Sequence, residues 1–149
     1  MAECLFCDIV AGEIPATTVL ETDRILAFRD IDPQAPTHVL VIPKEHYPDV
    51  AALASADGGL LAEVITGAHR VAADEGVGEN GYRVVFNTGA QAGQAVHHVH
   101  GHVLGGRSLA CPARMTCPAR TQPRTAPIPD NMELSMLGGR SSGSSRASN

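Results

Sequence analysis

A chain of 149 residues with 44% hydrophobic and 18% charged side chains suits one compact domain, with room for an appendage, and excludes wholesale disorder. Its net charge of −5 argues against partnership with a nucleic-acid backbone but leaves a small anionic ligand possible at a local site. No apolar run reaches the about 18 residues of a membrane span, and Met1-Ala2-Glu3-Cys4 opens no signal-peptide pattern. A cytoplasmic protein with no membrane partner is therefore expected. Aromatics are only 3% and Trp is absent, so the core must be mostly aliphatic.

In chain order, Leu5, Phe6, Ile9 and Val10 stand at helical spacing before Gly12 and Pro15, which predicts a short N-terminal helix. Residues 17–21 and 25–30 read as short strands around Thr22-Asp23. The apolar run 38–43 follows the turn signals Pro33 and Pro36 and reads as a buried strand. An apolar stripe over about 57–74 predicts one long helix, stopped by Gly76, Gly78 and Gly81. Residues 82–87 and 96–104 complete the strands. The order fits an α+β domain with an antiparallel sheet. After Arg107 the composition changes: residues 1–107 carry a net charge of −8, while 108–149 carry +3 with five Pro, seven Ser and five Arg. Such a stretch buries little apolar surface, so 1–107 is expected to be the folded domain and 108–149 a disordered tail.

The informative stretch is His98-Val99-His100-Gly101-His102. On a strand, side chains alternate, so the three imidazoles would share one face at intervals of about 7 Å. Such a row calls for a shared partner, either a metal or an anion such as phosphate, toward which a histidine can also act as nucleophile. A solvated face of an edge strand is the plain alternative. Cys4-x-x-Cys7 has the spacing of half a zinc site, against the alternative of two reduced buried thiols. Several other candidates have plain readings too. Asp30 can cap a turn, Asn87-Thr88-Gly89 is good turn chemistry, and His38 can be a core histidine.

The segment His98-Val99-His100-Gly101-His102-Val103-Leu104 resembles the signature of the histidine triad superfamily, closest to its branch of nucleoside phosphoramidate hydrolases. Cys4 to Val10, Glu13-Ile14-Pro15, Ala27 to Ile31, Pro33 to His38, Val41 to Lys44 and Asn87 to Arg107 resemble that branch in the same order. The resemblance implies a sheet of about five antiparallel strands, a homodimer, and hydrolysis of purine nucleoside phosphoramidates or related nucleotidyl conjugates such as aminoacyl-AMP. It makes His100 the nucleophile of a nucleotidyl-histidine intermediate. It makes His102 a phosphate contact and His38 the residue that orients His100, with His98 as the remaining triad histidine. Asp30 would bind the ribose. Phe6, Ile9, Phe28 and Ile31 would form the purine slot. Asn87, Gly93, Gln94, Ala95 and Val96 would meet the phosphate. Cys4, Cys7, His46 and His98 would hold a structural zinc.

Three places depart from the family's pattern. Ala95 replaces a usual Ser that assists the leaving group. Gly101 replaces a bulky apolar residue, which predicts a less rigid triad. The chain also continues past Ser108 in a different composition. These departures motivate an alternative, a catalytically weak purine-nucleotide-binding or regulatory protein. His69 and His97 are expected to have no catalytic part.

Overall fold

A computed structural model of the protein describes residues 4–110. The expected tail lies outside them save for its first three residues, as do Cys111 and Cys117. The elements in order are α1 (Leu5–Val10), β1 (Thr18–Glu21), β2 (Ile25–Arg29), β3 (Thr37–Pro43), α2 (Val50–Ala56), α3 (Gly58–Asp74), β4 (Tyr82–Phe86), a 3₁₀ turn at Ala90–Ala92, and β5 (Gly101–Gly105). The five strands form one antiparallel sheet in the order β1-β2-β3-β5-β4, an α+β fold as expected.

The central strand β3 is buried along its whole length, because both faces of the sheet are covered there. That explains its continuous apolar run where a half-exposed strand would alternate with polar residues. Val39 and Val41 face the larger core, with Ala27 and Ile25 of β2, Val103 of β5, and Leu60, Val64, Ala68 and Val71 of α3. Leu40 and Ile42 face the other way and pack with Leu26, Phe28 and Phe6 of α1. Helix α3 lies close on the sheet at Gly67, where a Cβ would come 2.4 Å from Ile25 Cδ1. Asp57 caps α3, its carboxylate accepting from the Leu60 N–H.

Two expectations need correction. The helical stripe does not begin the helical region: a separate helix, α2, precedes it, capped by Asp49 through the Ala52 N–H. The last strand starts at Gly101 rather than Val96. In β3, Val41 pairs with Gly101, and two residues further Pro43 has no N–H to offer a ladder. Val99 instead donates its N–H to the Tyr47 carbonyl at 2.7 Å, and His98 Nε2 reaches the Pro43 carbonyl at 2.8 Å. Of the three aligned histidines, only His102 therefore lies on a strand.

Candidate active site and metal cluster

The segment before β5 sends its histidines to two places. His98 is fully buried and turns toward α1. Its Nδ1 lies 3.5 Å from Cys4 Sγ and 3.6 Å from Cys7 Sγ, and His46 Nδ1 lies 3.4 Å from Cys7 Sγ. Because His98 Nε2 donates to the Pro43 carbonyl, its Nδ1 keeps a free lone pair facing the thiols. Tetrahedral coordination at about 2.0–2.3 Å sets neighbouring donors roughly 3.5 Å apart, which these spacings match. Cys4, Cys7, His46 and His98 are thus positioned to hold a metal ion, all four donor atoms lying within 4.8 Å of one another. Burial and the neighbouring Cys4 push the Cys7 thiol up to about 11, a preference for the neutral form that a bound cation would reverse. Burial likewise holds His98 neutral by lowering its pKa.

His100 and His102 turn to a different partner set. His100 is buried, and its Nδ1 donates to the backbone carbonyl of His98 at 2.7 Å. That fixes the proton on Nδ1 and leaves Nε2 with the lone pair. Its ring centroid lies 4.9 Å from that of His102 and 5.1 Å from Phe6. His38 does not reach His100, contrary to expectation; its Nε2 lies 2.9 Å from His102 Nδ1. The register explains this, since His102 stands opposite Leu40 and His38 opposite Leu104, one step apart on the same face of β3 and β5.

The tautomers along this line follow from their partners. The Gln34 N–H donates to His38 Nδ1 at 3.0 Å, so the His38 proton sits on Nε2, with Asp30 Oδ2 3.4 Å away. His38 then donates to His102 Nδ1, which puts the His102 proton on Nε2. Among the described residues, His102 Nε2 is the one buried side-chain nitrogen or oxygen with no partner. An orphaned buried donor costs free energy unless a ligand oxygen meets it. Burial, together with repulsion from His100 and His38, lowers the His102 pKa to about 4, so this histidine is a neutral donor at pH 7.

His100 and His102, but not His38, line a cavity of about 800 Å³, a size that suits a small organic ligand. Phe6, Ile9, Phe28, Asp30 and Ile31 line it as well, as do Gly93, Ala95 and Val96. Ile31 is fully exposed on the cavity's rim. His98, Asn87 and Gln94 are not part of the lining. The Gln94 amide is spent inside the loop: Oε1 accepts from Gly89 N, and Nε2 donates to the carbonyls of Pro48 and Val96. It braces the segment whose left-handed Gly93, at φ 81°, brings backbone to the cavity wall. Leu5, Leu40 and the stretch Ile14–Thr17 also line the cavity and were not singled out from sequence. Leu5 sits four residues before Ile9 and Leu40 two after His38, so helical and strand periodicity alone point to them. His97 is exposed, and His69 pairs with Tyr82 Oη at 3.0 Å outside the cavity.

A family model described as the HIT domain matches residues 11–109. The chain belongs to the HIT domain family. It is 45% identical over 107 residues to the purine nucleoside phosphoramidase of Escherichia coli K12, which spans 72% of this chain and 90% of that protein. It is 48% identical over 113 residues to an uncharacterized HIT-like protein of Synechocystis, spanning 75% of this chain and 98% of that protein. Among solved structures, a HIT family hydrolase from Legionella pneumophila superposes with a TM-score of 0.71 at 52% identity, covering 74% of this chain and 98% of that one. A histidine triad protein from Clostridium difficile gives 0.71 at 39% identity, covering 74% and 96%. This HIT protein is an enzyme, a hydrolase of the family. Among its described residues, no helix is long and apolar enough to cross a membrane.

Proposed function

We propose that this HIT hydrolase cleaves purine nucleoside phosphoramidates, or nucleotidyl conjugates such as aminoacyl-AMP, through a nucleotidyl-histidine intermediate. The purine would lie between Phe6, Ile9, Phe28 and Ile31, with its ribose hydroxyls on the Asp30 carboxylate. His100 Nε2 would attack the α-phosphorus in line while the bond to the leaving group breaks. In a phosphoramidate that is the phosphorus–nitrogen bond, and the amine takes a proton from solvent water; in an aminoacyl-AMP it is the phosphorus–oxygen bond, which releases a carboxylate. Water would then cleave the phosphorus–imidazole bond, returning the lone pair to Nε2 and freeing the nucleoside monophosphate. The His102 Nε2–H would donate to the phosphoryl oxygens, where charge gathers in both steps. The backbone of Gly93 to Val96 would meet the same oxygens.

The observation that supports this reading most is the pairing of two fixed tautomers on one cavity wall. His100 has its Nε2 lone pair free, and His102 offers an unpartnered Nε2–H beside it. The 45% identity to a purine nucleoside phosphoramidase supports the substrate class. Zinc fits the chemistry of the two-thiol, two-imidazole cluster, where a full set of four protein ligands makes its part structural. We further propose a homodimer in the cytoplasm, for whose sheet-to-sheet pairing the half-buried edge strand β4 is suited.

Incubation with adenosine 5′-phosphoramidate should release AMP, and rapid quenching should trap AMP on His100, located by mass spectrometry. A second reading, a nucleotide-binding protein that turns over little, draws on Ala95, which brings no hydroxyl to the cavity wall. Calorimetric binding of AMP with no AMP release from the phosphoramidate would favour that reading and overturn the first.

A further inference from the structure

The tautomer of His102 depends on a contact at the far end of the motif. The Gln34 N–H sets the proton position on His38, and His38 sets that on His102. Gln34 belongs to the turn between Asp30 and β3. Two bonds shape that turn from within: Asp32 N–H to Asp30 Oδ1 at 2.8 Å, and Gln34 Nε2 to the Asp32 carbonyl at 2.9 Å. From outside, the residues that follow β5 press on it. Gly106 takes φ 86°, a conformation L side chains rarely adopt. A Cβ there would come 2.9 Å from Pro36 Cβ, so only glycine lets the chain pass so close to the turn. This approach delivers the Arg107 guanidinium to the Gln34 carbonyl, where Nη2 donates at 2.8 Å.

We propose that Arg107 is a positioning residue for the hydrolysis: by holding Gln34 it keeps the His38–His102 pair in the tautomer that presents Nε2–H to the phosphoryl group. The inference rests on the phosphoramidase reading, and it gives the Gly106-Arg107 pair a task in the reaction. Arginine suits this, being charged at every working pH and a donor on several nitrogens. Arg107 also donates to the Ser108 carbonyl at 3.1 Å, so one guanidinium ties the chain just after β5 to the turn before β3. Released, the turn would let the Gln34 N–H leave His38 Nδ1. The His38 proton could then move to Nδ1, leaving a lone pair on Nε2. His102 would have to turn its own proton inward to meet that lone pair, and its Nε2 would face an anionic oxygen with a lone pair.

The test compares Arg107→Ala and Arg107→Lys with Arg83→Ala, a control that removes another guanidinium-to-carbonyl bond, from Arg83 to Ala110. Arg107→Ala should lower kcat on adenosine 5′-phosphoramidate about tenfold with KM within about twofold, short of the roughly hundredfold loss for a reacting group misplaced by about 1 Å. Arg107→Lys, which keeps a cationic donor, should recover most of kcat, and Arg83→Ala should match the wild type. The ¹⁵N imidazole signals of His102 at pH 7 should report one Nε2–H tautomer in the wild type and a mixture in Arg107→Ala. Unchanged kcat, or a fall in kcat with the His102 tautomer unaltered, overturns the proposal. If the wild type itself releases no AMP, the phosphoramidase reading fails, while the imidazole signals still decide whether Arg107 holds the pair.

Discussion

Cys4, Cys7, His46 and His98 gather four donor atoms around one point, whereas Asp30 and His102 both meet a single atom, His38 Nε2, although each group brings its donor atoms within 4.8 Å. Distance alone makes both look like metal sites. The second ring nitrogen separates them. His98 spends Nε2–H on the Pro43 carbonyl, so its Nδ1 lone pair is free to meet a cation beside two sulfurs. His38 spends its Nδ1 lone pair on the Gln34 N–H, so the nitrogen facing Asp30 and His102 carries a proton and acts as donor. His98 and His38 thus serve different chemistry because of the backbone groups around them. His100, whose ring lies beside that of His102, ties the second group to the metal cluster through one atom: the His98 carbonyl accepts its Nδ1–H.

The sharpest break between the two groups is expected at His100. His100→Ala should cut AMP release from the phosphoramidate by about 10³-fold or more, as loss of a covalent nucleophile does, with bound metal unchanged. Full activity in that variant would mean that His100 is not the nucleophile. On the other side, Cys4→Ser should reduce the metal content measured by inductively coupled plasma mass spectrometry from one ion per chain toward none. It should also lower Tm by about 10 °C or more, because a structural ion contributes binding energy directly to the fold. His38→Ala should leave the metal content alone. Metal that followed His38 and spared Cys4 would reverse the comparison.

Acid should act on the relay through His102. Its pKa falls from 6.5 toward about 4 in the folded protein, so the unfolded chain binds more protons between those values. The stability it contributes is present above about 6.5 and is lost as pH falls through that window. Thermal melts of the wild type should therefore drop from pH 7 to pH 4. His102→Asn, which cannot take the proton, should show a shallower drop. Equal slopes would mean that His102 is protonated alike in both states.

How far the sequence reveals this division depends on what each pattern encodes. Periodicity carries β2, β3 and α3, because their apolar spacing reports directly on which faces are covered. It misreads 96–104 as one strand, because the alternation of His98, His100 and His102 continues past the point where Pro43 ends the ladder. Helix α2 is seven residues long and buries only Leu53 fully, too little to leave a stripe. The Cys-x-x-Cys spacing and the resemblance together point to the metal cluster. The partner of His38 is not encoded in spacing at all, since it depends on the register of β3 against β5.

The smallest effect concerns Gly101, whose lack of a side chain suggests a looser triad from sequence alone. The structure fills that gap from the neighbouring strand. Phe86 of β4 stands opposite Gly101, and a Cβ on Gly101 would come 3.0 Å from its Cζ and 3.1 Å from its Cε1. The aromatic ring covers the bare backbone on the face away from the cavity, beside Val84 and the larger core. Gly101→Ala should therefore clash with the ring and cost about 1 kcal/mol in denaturant melts, the low end for overpacking. Adding Phe86→Val should return most of that loss, a coupling that a double-mutant cycle reads directly. Additive effects of the two substitutions would mean that the ring and the glycine do not share the space. In either case the His102 side chain points to the opposite face of β5, so kcat should move less than stability.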